Sequence, residues 1–211
     1  MDHIAQIDTF SRLSRVSRET IISLKKYEDL LINSNKSLNL IGKSTTNDIW
    51  IRHFLDSAQV IDFIDKNNKI GLDIGSGAGF PGIVVALIAR DRGVPIKMKL
   101  YEKSPKKSDF LIKISNLLDL NVEVVTKNIF DEEKFSVNFI LVRAFKPIEI
   151  ILDLIHKKVF KWNQTILFMG QNTDVYSPKI TKHWKIEHKE VKSITRDGSK
   201  ILMIRSIKKI S

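Results

Sequence analysis

The 211-residue chain contains no cysteine. That excludes disulfides, thiolate-bound zinc, iron–sulfur clusters and a thiolate nucleophile. Glycine (nine) and proline (five) are scarce while 43% of residues are hydrophobic, which excludes collagen-like and low-complexity chains and predicts a packed globular fold. Long apolar runs are missing as well. The longest, residues 83–89, is too short to span a bilayer, and residues 1–8 lack the basic and apolar regions of a secretory leader. These absences predict a soluble, cytoplasmic protein with no membrane partner and no metal site. Acidic residues are also in deficit: 24 Asp and Glu stand against 35 Lys and Arg, a net charge of +11. Such an excess points to a polyanionic partner, although nucleic acid, an anionic membrane and a merely solvated lysine surface all satisfy charge alone.

What is present falls into two textures. Residues 1–65 read as helical. After Ser17 as N-cap, Ile21, Leu24, Tyr27, Leu30 and Leu31 recur at three- and four-residue spacing, giving a helix with one apolar face that ends near residues 33–35. A second amphipathic stretch follows Ser44, Thr45 and Thr46, each a candidate cap, with Ile49, Trp50, Phe54, Leu55 and Ala58 inward. From residue 66 short apolar runs alternate with helical stretches. Strands are predicted at 70–74, 98–102, 122–126, 139–142, 165–169, 184–194 and 200–207, and helices at 83–90, 106–118 and 148–160. This order predicts an α/β fold: a doubly wound, mostly parallel seven-stranded Rossmann-like sheet, closed by a C-terminal antiparallel hairpin that turns tightly at Asp197-Gly198. With no linker or repeat, residues 1–65 are expected to pack as an extension on the 66–211 core, in one structural domain and a monomer.

The most informative segment is Asp73-Ile74-Gly75-Ser76-Gly77-Ala78-Gly79-Phe80-Pro81-Gly82. It lies between a predicted strand and a predicted helix, where glycines allow a tight turn and a close backbone approach to a nucleotide. A dinucleotide fingerprint would need glycine at position 80, which is Phe80, so the dehydrogenase reading weakens. The acidic-x-G-x-G-x-G pattern resembles the first motif of class I S-adenosylmethionine-dependent methyltransferases. That resemblance implies that the loop receives the methionine end of the cofactor and that an acid closing the next strand, here Glu102, accepts from the ribose hydroxyls.

Further absences narrow the methyl acceptor. Without a cysteine, methylation of cytosine at C5 through a covalent thiolate is excluded. Where amino-methylating relatives carry an Asn/Asp-Pro-Pro-aromatic loop, this chain has Val142-Arg143-Ala144-Phe145. Acceptors that already hold a reactive lone pair remain, and guanine N7 is one, since it needs no deprotonation before attack.

Three stretches together, Ile51-Arg52-His53-Phe54-Leu55-Asp56-Ser57, the Asp73 to Gly82 loop and Arg143-Ala144-Phe145, resemble in order and spacing the glucose-inhibited division protein B family, bacterial methyltransferases of guanine N7 in 16S ribosomal RNA. The resemblance runs from about residue 20 to the C terminus. It implies S-adenosylmethionine as cofactor and 16S rRNA or the small ribosomal subunit as partner. It implies cofactor contacts from Gly75, Phe80, Glu102, Ile129, Phe130 and Arg143, with Arg143 also the candidate catalytic residue. Phe80, Ile129 and Phe130 are apolar surfaces for sandwiching a purine; Arg143 can reach a carboxylate, a phosphate or guanine O6, or simply pair with a surface acid. Asp73, Gly77, Gly79, Arg52, His53 and Asp56 are expected to support the site from behind, and Ser57 to cap or bond within the same cluster. Met169 stands where the family usually has lysine, and Lys200 is the nearby basic residue that could replace it. Alternatives are a class I enzyme acting on a small molecule or protein, and a non-catalytic RNA-binding module.

The charge excess is uneven. Residues 179–211 hold ten basic and three acidic residues, Lys97, Lys99, Lys103, Lys106 and Lys107 surround Glu102, and Arg12, Arg15 and Arg18 recur at helical spacing. Such clusters neutralise phosphates without reading sequence. Phe145 and Phe80 are candidates to stack on the target base.

Overall fold

A computed structural model describes residues 1–171 and 174–210. Seven strands form one sheet: β1 (Ile70–Ile74), β2 (Lys97–Tyr101), β3 (Val122–Val125), β5 (Phe139–Arg143), β7 (Gln164–Met169), β8 (Trp184–Lys192) and β9 (Lys200–Lys209). Their order is β3-β2-β1-β5-β7-β9-β8. The first five run parallel and β9 and β8 are antiparallel, as the sequence predicts. Strand direction also explains the continuous apolar runs. Along β5, Phe139 and Leu141 enter one apolar cluster while Ile140 and Val142 enter the other, so both faces are buried.

Helices cover both faces. On one side lie α2 (Arg18–Leu38), α4 (Gly82–Asp91) and α5 (Pro105–Leu117), whose Leu24, Tyr27, Ile83 and Leu111 are fully buried. On the other, α6 (Ile148–Lys158) buries Leu152 and Ile155 against Leu72, Val142 and Leu202. The N-terminal region begins with α1 (His3–Ser14), then α2, a 3-10 turn (Lys43–Asp48), a π turn (Trp50–Leu55) and the short α3 (Asp56–Ala58). Ser17 caps α2 by accepting from the Thr20 N–H, and its hydroxyl also bonds Asp91 at the end of α4, tying the extension to the sheet.

Several expectations are corrected. The α2 helix runs on to Leu38 and stops at Asn39 in the left-handed region, because polar Asn33–Asn35 lie on its outer turns without breaking it. Ser44, Thr45 and Thr46 cap nothing; they sit inside the 3-10 turn, where Thr45 and Thr46 hydroxyls donate to the Gly42 and Lys43 carbonyls. Arg12, Arg15 and Arg18 share no helix face, since Arg15 is the left-handed C-cap of α1 and Arg18 opens α2. The predicted helix over 148–160 ends at Lys158, and residues 159–161 instead form β6 (Val159–Lys161), paired with β4 (Phe135–Ser136) in a two-stranded sheet. Asp197-Gly198 is not a two-residue turn: Lys192 pairs with Lys200, leaving a seven-residue loop, 193–199. A last short helix, α7 (Pro178–Thr181), precedes β8, which forms one edge of the sheet with Lys185, Lys189 and Lys192 exposed. Charges there block edge-to-edge strand pairing, which accounts for part of the basic excess without any partner.

Candidate active site

The strand order reverses between β2-β1 and β1-β5, which opens a crevice at the carboxyl ends of the strands. A cavity of about 700 Å³ lies there, and Gly75, Gly77, Phe80, Glu102, Ile129, Phe130 and Arg143 all line it. Two elements build its floor. The loop after β1 is hung on β2, whose Tyr101 carbonyl accepts from the Gly75 and Ser76 N–H groups at 2.9 and 3.0 Å. Gly75 has φ +72°, and a Cβ there would strike Phe145; Gly77, at φ +55°, has only the Gly75 carbonyl near, at 3.9 Å. Both glycines line the cavity, and the bare Gly75 leaves room for the Phe145 ring that a Cβ would displace.

Glu102 is buried at the tip of β2. One carboxylate oxygen accepts from the Gly77 N–H at 3.0 Å and the other from the Ser104 N–H at 2.8 Å. Each oxygen keeps a lone pair, enough to accept from a vicinal diol. The same acid therefore holds the loop and keeps acceptor capacity at the cavity wall. Asp73 works from behind: it is fully buried and accepts from the Gly82 N–H at 3.1 Å, which orients the start of α4. Burial pushes its carboxyl up to about 7, against the pull of that N–H and of Arg143.

The aromatic wall differs from expectation. Phe80 stacks on Tyr27 at 5.4 Å and on His53 at 4.9 Å and is 6% exposed, so its ring has no free face for a purine or a target base. The accessible aromatics are Phe130 and Phe145, parallel to within 16° at 6.0 Å between centroids. Asn128 fixes Phe130 by capping the turn Ile129–Asp131, with Ile129 buried beneath.

Arg143, at the tip of β5, is held by the 52–56 turn. Its Nε lies 3.0 Å from Asp56 Oδ2, one terminal nitrogen donates to the Arg52 carbonyl at 2.7 Å, and the other to His53 Nδ1 at 3.3 Å. Because Nδ1 accepts, Nε2 carries the proton and donates to Thr45 Oγ1 at 2.9 Å; Thr45 in turn donates to the Gly42 carbonyl. Burial, helped by Arg143 and Arg52, pulls His53 down to about 3, so the ring is neutral at pH 7 and serves as acceptor. Burial also lowers Arg143 from its ordinary range, with Asp56 and Asp73 opposing. The structure thus joins His53, Asp56 and Arg143 directly, while Arg52 contributes its carbonyl. Gly79 stays behind the cavity, its φ of +95° set against Tyr27 and Ile83. Ser57 is buried with its hydroxyl unpartnered and takes no part in the cluster.

The sequence reading missed Thr45 as the partner of His53, and Lys127, Ala144 and Lys146 as cavity residues. Ala144 lies inside the Arg143-Ala144-Phe145 motif; no local pattern signals the others. Lys200 lies directly across from Met169 in the β7–β9 ladder, but its ammonium is held by Glu190 at 2.6 Å. Among the described residues no cluster of His, Asp and Glu could hold a metal ion, and no helix is long and apolar enough to cross a membrane.

Residues 20–205 match the family described as GidB, rRNA small subunit methyltransferase G. The ribosomal RNA small subunit methyltransferase G of Pelagibacter ubique (strain HTCC1062) is 42% identical over 196 residues, covering 92% of each chain. That of Rickettsia akari (strain Hartford) is 34% identical over 92% of this chain and 98% of its own. Among solved structures, an MtNAS variant in complex with S-adenosylmethionine superposes with a TM-score of 0.58, covering 94% of this chain and 83% of that one at 13% identity. Magnesium protoporphyrin IX methyltransferase from Synechocystis PCC 6803, with bound cofactor, gives 0.57 over 90% and 98% at 14% identity. Identities that low speak for the fold alone; the match over 20–205 and the sequence relatives go further, and the chain belongs to the GidB family of small-subunit rRNA methyltransferases.

Proposed function

We propose that the chain transfers the methyl group of S-adenosylmethionine to N7 of a guanine in 16S rRNA, presented as RNA or as the small subunit. One observation carries the choice of acceptor: the cavity combines a glycine cradle and an acid-tipped strand with no free general base. His53 has both ring nitrogens engaged, Tyr101 donates its hydroxyl to Glu132, and the remaining ionisable wall residues are Glu102 and cations. With Glu102 committed to the Gly77 and Ser104 N–H groups and to the ribose, an acceptor that must lose a proton before attack has no carboxylate or imidazole left to take it. Guanine N7 needs only alignment, and proximity of this kind lowers a barrier by roughly 7–11 kcal/mol.

When bound, S-adenosylmethionine supplies a methyl on a positively charged sulfonium. The residues of this chain would divide the remaining work. The Gly75–Gly77 backbone would hold the amino-acid end, Glu102 would accept from the ribose, and Ile129 and Phe130 would cover the adenine. Phe145 offers a face to the incoming guanine. Arg143 spends three of its five N–H donors on Asp56, His53 and the Arg52 carbonyl, leaving two to meet guanine O6.

The test uses purified protein, S-adenosylmethionine and small subunits from cells lacking the protein, with N7-methylguanine mapped by chemical cleavage. One new modified guanine is expected in 16S rRNA. A map unchanged after incubation, from both subunits and naked RNA, would sink the assignment.

A further inference from the structure

A second cavity, about 220 Å³, lies on the other side of Arg143, between the ends of β5 and β7, the start of β9 and the 193–199 loop. It shares Arg143 and Ala144 with the larger cavity, so whatever fills it adjoins the site of methyl transfer. Its wall carries four cations, Arg52, Arg143, Arg196 and Lys200, against the single carboxylate of Asp56. That carboxylate is engaged on both oxygens by Arg143, Gln59 and Thr195, and Lys200 is engaged by Glu190. Arg52 and Arg196 make no ion pair among the described residues.

The loop bearing Arg196 is fastened at both ends. Gln59 accepts from the Ile194 N–H at 3.1 Å and donates to Ser193 Oγ at 3.3 Å, while Thr195 Oγ1 donates to Asp56. Farther on, Gln171 donates to the Asp197 carbonyl at 2.7 Å. A seven-residue loop pinned this way has paid its ordering entropy before any ligand arrives. The acid that orients Arg143 is the acid that clasps the loop.

We propose that this cavity is a phosphodiester site in which Arg52 and Arg196 grip the RNA backbone beside the target guanine. Guanidinium forks match two phosphate oxygens, and a cavity less than a third the size of its neighbour suits a phosphate better than a cofactor. The assignment rests on the proposed RNA substrate, and the test separates the two. Arg52→Ala, Arg196→Ala and Thr195→Val are compared with Lys185→Gln, an equal charge loss on the exposed edge strand. Binding of an RNA fragment containing the target guanine is followed by fluorescence anisotropy across a salt series, without cofactor. Cofactor binding is measured separately by calorimetry.

Each arginine variant should bind RNA about 5- to 10-fold more weakly and lower the salt slope by about 0.7–0.9, the value of one lost phosphate contact. Thr195→Val should weaken binding with the slope intact. Cofactor affinity should not move in Arg196→Ala, whose residue lines the smaller cavity and not the larger one. Arginine variants indistinguishable from Lys185→Gln would overturn the site, and weakened cofactor binding in Arg196→Ala would assign the cavity to the cofactor instead. If small subunits go unmethylated while the arginine variants still lose RNA affinity, the methylation reading fails and the phosphate site stands.

Discussion

Two buried ionisable side chains near the glycine loop after β1 pull stability in opposite directions with pH. Asp73 is pushed up to about 7 by burial, and His53 is pulled down to about 3 by burial and by its arginine neighbours. A raised carboxyl pKa means that the folded state holds its proton more tightly. That contribution is complete below the unfolded value of 3.8 and is lost as pH climbs through about 7. A lowered imidazole pKa has the reverse sign: its contribution is complete above 6.5 and is lost as pH falls through about 3. Between roughly pH 4 and 6.5 the two slopes, each about 1.4 kcal/mol per pH unit, cancel. The cancellation is visible only by removing one partner. Asp73→Asn keeps an acceptor for the Gly82 N–H, and its stability in urea should rise by about 2–3 kcal/mol relative to wild type between about pH 4.5 and 6.5. His53→Gln keeps an acceptor for Arg143 and a donor for Thr45, and its stability should fall by a similar amount over that range. Parallel profiles for the three proteins would show that neither group titrates as its burial requires.

The β1–loop–α4 element joins local backbone demands to the cavity wall. Gly75 and Gly93 both have positive φ, +72° and +64°, so alanine at either position carries about 1 kcal/mol of left-handed strain. They differ in surroundings. A Cβ on Gly75 meets the Phe145 ring, whereas nothing lies within 4 Å of one on Gly93. Because Phe145 and Phe130 form the aromatic wall, Gly75→Ala should weaken S-adenosylmethionine binding at least about tenfold in calorimetry, by roughly 1.4 kcal/mol or more. Gly93→Ala should lose only the strain, about 1 kcal/mol of stability, and bind the cofactor normally, and equal affinities for the two variants would remove Gly75 from the cradle. This element is readable in the chain: β1 is an apolar run, the glycines follow it, and the acid of β2 lies one crossover away. The central strand β5 is readable for the same reason, since burial on both faces leaves an uninterrupted apolar run, whereas the outer strands β2 and β3 are interrupted by half-buried Lys97, Lys99 and Glu123. The turns around Thr45 and His53 are not. Their 3-10 and π geometry has no spacing signature, and the Thr45–His53–Arg143 chain links residues 8 and 90 positions apart. Nor is the loop length at Asp197-Gly198 readable, because Gln59 and Asp56, distant in sequence, hold residues 193–195 away from a tight turn.

On the scale of the whole molecule, one apolar cluster crosses from the N-terminal helices to the sheet. It contains Phe10 of α1, Leu24, Tyr27 and Leu31 of α2, Trp50 and Phe54 of the π turn, Ile83 and Leu87 of α4, and Leu141 and Ile201 of the sheet. Each of these is fully buried. Polar bonds cross the same seam: the Tyr27 hydroxyl donates to the Ala78 carbonyl of the glycine loop, and Ser17 and Thr20 donate to Asp91. A boundary with this many buried side chains on both sides has no weak plane along which to separate. Removing α1 and α2 would uncover the outer faces of α4 and α5, and full burial of a Leu, Phe or Tyr side chain contributes about 1.5–3 kcal/mol. Loss of Phe10, Leu24, Tyr27 and Leu31 together would then approach the whole stability of about 5–15 kcal/mol typical of a domain. The intact protein should therefore unfold in one calorimetric transition, with van't Hoff and calorimetric enthalpies in agreement. A chain beginning at Asn39 should show no cooperative melt and should bind a hydrophobic dye before heating. Because Tyr27 also supports the loop through Ala78, the same truncation should abolish S-adenosylmethionine binding. A truncated chain that melts cooperatively and still binds the cofactor would mean that the sheet carries the site alone and that the helices are an appended layer.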